Sequence, residues 1–176
     1  FWPHEITGAE VAHFAIWTVF LVLLITIAVY DIRWLIIPNV IILPMIAGAV
    51  AFVLLDALVL GSGVNAVKEA VIGLAVAGGF FYGLFFVSNG RWIGGGDVKL
   101  SFFLGIMLGP LLSAVALFLA FNIALVFILP LMIARVVTRK SRIPFGPFLI
   151  LATYAALLFG KAVADWYDET FLLGIY

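Results

Sequence analysis

The stretch "RWIGGGDVKLSFFLGIMLGP", residues 91–110, decides how this chain is folded. It holds three successive glycines, an aspartate, and an apolar run that stops at Gly109-Pro110. Longer apolar runs flank it on both sides. Read as a loop followed by a short membrane span, it fixes the number of crossings. Its aspartate, Asp97, then falls at membrane depth, where a carboxylate is costly.

The rest of the chain supports that reading. Of its 176 residues, 66% are hydrophobic and 10% charged, with a mean hydropathy of +1.33. A soluble domain is nearer a quarter charged. The expected fold class is all-α, a polytopic membrane helix bundle forming a single domain over 1–176. A transmembrane β-barrel would show short alternating strands, and none is present. The formal net charge is zero, so no overall field favours nucleic acid. Cysteine is absent, which excludes a disulfide framework, a cysteine zinc site and a thiol nucleophile. His4 and His13 have no third ligand close by, so neither a metal nor another cofactor is expected. No sequence feature fixes an oligomeric state. The chain opens on Phe1 rather than Met, without a signal-peptide pattern, and reads as a piece of a longer protein or as a trimmed one.

About six membrane segments are expected. Segment 1 runs from about Val11 to Tyr30. Segment 2 runs from about Leu35 to Leu60, with a kink expected at Pro44. After the loop Gly61-Ser62-Gly63, segment 3 covers Ala66 to Val87. Segment 4 is the short piece Val98 to Leu108. Segment 5 covers Leu111 to Val137 with Pro130 inside it. Pro144-Phe145-Gly146-Pro147 opens segment 6, which runs to about Ala164.

Charge orients these segments. The connections after segments 1, 3 and 5 carry Arg33, Arg91, Lys99, Arg135, Arg139, Lys140 and Arg142. These are seven of the nine basic residues, and all fall on one side if there are six crossings. That side is expected to be cytoplasmic. Glu5, Glu10, Asp56, Glu69, Asp165, Asp168 and Glu169 fall on the other side. Only Asp31 and Asp97 are acids on the basic side.

Segment 4, counted from Asp97 to Gly109, is about 20 Å long. The hydrocarbon core is about 30 Å thick. With Gly109-Pro110 at the outer surface, Asp97 is expected several ångströms below the inner one. Such an acid is expected to face the bundle interior or a wet cavity, and to be functional. The glycines are expected to leave bare, non-helical backbone there, against which an extended peptide lies. Two carboxylates at one site suit aspartyl hydrolysis, because neighbouring acids share a proton. The ionised acid takes a proton from water, and the protonated one assists the carbonyl and the leaving amine. Helix ends assign the base to Asp97 and the acid to Asp31. The rival reading is a small transporter that uses both aspartates as a proton relay.

"YDIRWLIIPN" (30–39) and "GGGDVKL" (94–100) resemble the two catalytic motifs of the type IV prepilin peptidases, which are membrane aspartyl proteases with a Gly-x-Gly-Asp signature. "IPFGPFL" (143–149) is similar to the motif before their last helix. The resemblance covers nearly the whole chain in order and spacing. It implies that Asp31 and Asp97 are the catalytic pair. It makes Gly94 and Gly96 the signature glycines, with Gly95 in a variable slot that is often larger in relatives. Lys99 fills a basic place, and Pro38 and Asn39 match the segment that turns segment 2 away from the site. The implied activity is cleavage of the short basic leader of type IV prepilins or pseudopilins, at the cytoplasmic face of the inner membrane. The basic residues would not attract a basic leader. They are expected to fix topology or to meet anionic membrane lipid. Many relatives carry an N-terminal cytoplasmic domain that binds zinc and methylates the new N-terminus. These residues lack that domain, so methylation is not expected of them. Presenilin-like proteases share the Tyr-Asp and Gly-x-Gly-Asp patterns but not Ile-Pro-Asn or "IPFGPFL".

Among other features, Gly105/Gly109 and Gly79/Gly83 stand four apart and are expected at helix contacts. Asn122 is expected to bond across helices. Trp2, Trp17, Trp166, Tyr167 and Tyr176 read as an interfacial belt.

Overall fold

The computed structural model describes residues 8–58, 63–136 and 143–167. These residues form helices and connections, with no strand among them. The helices are α1 (Gly8–Trp34), α2 (Asn39–Leu58), α3 (Gly63–Ser88), α4 (Gly95–Ile133) and α5 (Gly146–Tyr167). The first four are long and apolar enough to cross a membrane, and 146–160 is a shorter apolar stretch. The chain is a multi-pass membrane protein.

α4 is broken where the sequence predicts. Gly109 has φ +69° and ψ −178°, a conformation open to glycine, and Pro110 follows it. The pieces on either side correspond to segments 4 and 5. The break lies beside Glu69 of α3, whose Oε2 would stand 3.7 Å from a methyl on Gly109. This arrangement is compatible with six crossings.

Small residues lie inside the bundle beside large ones such as Phe81, Phe103 and Leu24, and large apolar residues also face outward. Ala49, Ala77, Ala116, Ala120, Ala152 and Ala156 are buried, while Phe14, Val40, Phe86 and Phe118 are exposed. In lipid this pattern is expected, because small residues let helix backbones approach and large apolar ones face acyl chains. The closest approach is between α3 and α4. A methyl on Gly73 would overlap the Gly105 carbonyl and lie 2.7 Å from the Gly109 carbonyl carbon. A methyl on Gly105 would lie 2.8 Å from Leu74 Cα. Immediately after this crossing α3 widens into a π-helical turn, Leu74–Gly79.

Several expectations are corrected here. Gly79 and Gly83 face nothing within 4 Å, so their spacing does not mark a contact; the partner of Gly105 and Gly109 is Gly73. Asn122 donates to Phe118 O of its own helix at 2.7 Å, because the carbonyl one turn back is nearer than any neighbouring helix. Trp17 packs partly against the core rather than standing in a surface belt. α1 continues a turn beyond segment 1, and α2 starts four residues later than segment 2. His4, Glu5, Trp2, Tyr176, Arg139, Lys140, Arg142, Asp168, Glu169 and the loop 61–62 lie outside the described residues. So do the side chains of Glu10, Lys161, Asp165, Trp166 and Tyr167.

Candidate active site

Asp31 stands on a buried ridge. Phe20, Leu24, Ile27 and Asp31 are all buried, at intervals of four, three and four along α1. Residues so spaced share one helix face. The same spacing runs forward from Asp97 through the buried Ser101, Leu104 and Leu108 of α4. Each acid therefore ends a core-facing ridge, which turns it inward. Asp31 is only 5% exposed and Asp97 is partly buried. Neither Arg33 nor Arg91 forms an ion pair with Asp31 among the described residues, where the recorded pair is His13–Asp56 at 3.2 Å.

The local backbone explains how each acid is held. α1 runs past Asp31 for less than one turn, then ends with Leu35 at φ +55° and its amide on Asp31 O at 2.9 Å. The link that follows packs Ile37 into the core. Pro38 O accepts the first amides of α2, from Ile41 and Ile42 at 3.1 and 3.0 Å. On the other side, Asn89 and Gly90 adopt positive φ and reverse the chain after α3. Gly94 is extended at φ −72°, ψ 148°, and α4 begins at Gly95. Asp97 thus lies in the first turn of α4 and Asp31 in the last turn of α1.

This start of α4 corrects the expectation of bare backbone. Gly95 and Gly96 are helical, and only Gly94 is extended. The glycines differ in what they face. A methyl on Gly96 would stand 3.0 Å from Ile37 Cβ, so the α1–α2 link approaches α4 here because no side chain intervenes. A methyl on Gly95 would meet only Phe85, at an ordinary 3.9 Å, which suits a variable slot. A methyl on Gly94 would sit 3.5 Å from Asp97 Oδ2. Lys99 Nζ donates to Asn39 Oδ1 at 2.7 Å and ties the first turn of α4 to the first residue of α2.

The residue that joins the two acids is one the sequence did not single out. Gly146, the first residue of α5, lies between them. A methyl there would be 2.5 Å from Asp31 Oδ2 and 3.6 Å from Asp97 Oδ1. Its amide faces both carboxylates. Asp31 Oδ2 is buried and has no hydrogen-bond partner among the described residues. Phe145, just before it, is wedged among Phe81, Phe121 and Phe148, with ring centroids 5.2–6.5 Å away. That wedge seats the start of α5 against α3 and α4.

The structure thus brings Asp31, Asp97, Gly94 and Gly146 together at one end of the bundle. Pro38, Asn39, Gly96 and Lys99 brace them, and Gly95 lies to the side. The His13–Asp56 pair links α1 to α2 in the opposite direction along α1. An apolar cleft of about 390 Å³ lies between the same two helices, lined by Ile16, Phe20, Gly48 and Phe52 among others, and does not reach the acids. No group of three or more metal-ligating side chains occurs among the described residues.

Residues 18–129 match the type IV leader peptidase family. The chain is 31% identical over 150 residues to a prepilin leader peptidase/N-methyltransferase of Aeromonas salmonicida, covering 85% of this chain and 50% of that protein. It is 30% identical over 155 residues to the protein of the same name from Bacillus subtilis, covering 85% and 57%. A third such protein, from Aeromonas hydrophila, is 30% identical over 150 residues, with 85% and 51% covered. The chain spans about half the length of these curated relatives. No solved structure matches it.

Proposed function

The chain belongs to the type IV leader peptidase family, and from that premise we propose that it is an aspartyl endopeptidase of the inner membrane. Its substrates are type IV prepilins or pseudopilins, cut between the basic leader and the apolar helix. The single observation that carries this reading is the meeting of Asp31 and Asp97 at Gly146, from helices far apart in sequence. Names of the relatives support the substrate class.

The chemistry follows from the dyad. One carboxylate removes a proton from water as its oxygen attacks the scissile carbonyl carbon. The other, protonated, hydrogen-bonds the developing oxyanion and supplies the proton that leaves with the amine. Asp97 sits at the positive end of α4 and Asp31 at the negative end of α1, so Asp97 takes the base role and Asp31 the acid role. The pair still titrates as a unit. Gly94 belongs to the site by its contact with Asp97, and Gly96, Lys99, Pro38 and Asn39 hold the helix ends around it. We assign the acids to the cytoplasmic side from the charge bias of the sequence, since Arg33, Arg91, Lys99 and Arg135 fall in or beside the same set of connections.

A proton-relay transporter needs polar groups leading onward from the dyad. The buried Ser101 and Thr153 bond carbonyls of their own helices, Val98 O and Leu149 O. Asn122 does the same on the exterior. The peptidase reading therefore stands ahead.

The test is cleavage of a prepilin in detergent by the intact chain, by Asp31→Asn and by Asp97→Asn. Both substitutions are nearly isosteric and abolish the shared proton. The expected outcome is cleavage at the leader junction by the intact chain, with each variant at least about a thousandfold slower, in line with loss of a general acid or base. A variant that cuts near the normal rate removes that aspartate from the mechanism.

A further inference from the structure

Resting on the dyad reading above, we infer that Gly146 is a third, positioning member of the active centre, which lets the two acids lie against bare backbone and aims a fixed backbone dipole at them. Three observations meet at this residue. The point where a side chain would begin is 2.5 Å from Asp31 Oδ2 and 3.6 Å from Asp97 Oδ1. Asp31 Oδ2 is buried, aimed at that point, and without a partner among the described residues. The Gly146 amide begins a helix of 22 residues and is directed at both acids.

Each observation has a physical reading. An unpartnered buried oxygen is costly unless something polar reaches it. A first-turn amide is not used by its own helix and is free to face an anion. The dyad carries one negative charge when it shares a proton, so the α5 terminus faces a charge it stabilises. Phe145 sets the position of this amide by its aromatic wedge. Pro147, next in the chain, has no amide hydrogen to compete for the acids. Segment 6 therefore completes the site as well as crossing the membrane.

The test is steady-state cleavage of a prepilin by Gly146→Ala. The added methyl would lie 2.5 Å from Asp31 Oδ2 and displace that carboxylate. The expected result is a fall in kcat of a hundredfold or more, with KM within about twofold and an unchanged cleavage position. Normal kcat overturns the inference. A raised KM with kcat kept also overturns it, because the residue would then serve substrate binding. If Gly146→Ala does not fold in detergent, Phe145→Leu decides. It loosens the seat of the amide without adding atoms beside the acids, and kcat is expected to fall about tenfold at constant KM. Unchanged kcat there overturns the inference. Failure of the dyad itself has a different signature, namely activity in Asp31→Asn or Asp97→Asn.

Discussion

Gly96 and Gly95 stand side by side, yet only one of them is forced to be glycine. At Gly96 the obstacle is Ile37 Cβ, a backbone-anchored atom that cannot swing aside. At Gly95 the neighbour is the edge of the Phe85 ring, at ordinary contact distance. Gly96→Ala is expected to cost about 1–3 kcal/mol through overpacking. Gly95→Ala is expected to stay within about 0.5 kcal/mol. Thermal melts of the two variants in one detergent check the contrast, and equal losses would refute it. At this scale the acids were legible, because Asp31 and Asp97 are the only acids among the basic connections. Gly146 was not. In "IPFGPFL" it reads as a helix-opening turn, and the carboxylates it touches come from α1 and α4. No local pattern records a contact between residues so far apart in the chain.

Among the helices, the crossing of α3 and α4 shows what a small-residue spacing can and cannot say. Gly105/Gly109 and Gly79/Gly83 have the same interval. The first pair meets a helix backbone at Gly73 and the second meets nothing. The difference lies in what stands opposite, which the spacing does not encode. Gly105→Ala is expected to push α3 from α4 and cost about 1–3 kcal/mol or more of stability, seen as a clearly lower melting temperature. Gly79→Ala is expected to leave it unchanged or slightly raised. Circular-dichroism melts separate them, and a fall for Gly79→Ala equal to that for Gly105→Ala sinks the argument. The break at Gly109-Pro110 was readable, because glycine at positive φ followed by proline interrupts a helix by local chemistry alone. The helical start at Gly95-Gly96 was not, since glycine propensity favours a loop. Packing against Ile37 overrides that preference. The π-helical turn after Gly73 left no trace in the composition either.

For the molecule as a whole, the uneven distribution of charge gives a direction that can be measured. The chain has no cysteine, so a single introduced thiol reports cleanly. Arg91→Cys is expected to react with a membrane-impermeant maleimide in inverted vesicles and not in spheroplasts. Lys68→Cys is expected to do the reverse. Labelling of both from the same side would reject the six-crossing arrangement. The all-helical class and the order of segments were legible here, because apolar length and basic connections are properties of whole stretches and survive errors of a few residues at each end.

The break at Gly109 also bears on the lipid around the protein. Beside Glu69, it ends the first half of α4 after about 20 Å, against about 30 Å of hydrocarbon. A deficit of about 10 Å cannot be met by tilting, which shortens a helix further. The leaflet beside Asp97 is expected to thin instead, drawing headgroups and water towards the acid. The proposed hydrolysis, which needs water, would be served by that local deformation of the bilayer, written into the chain as a helix about two turns too short.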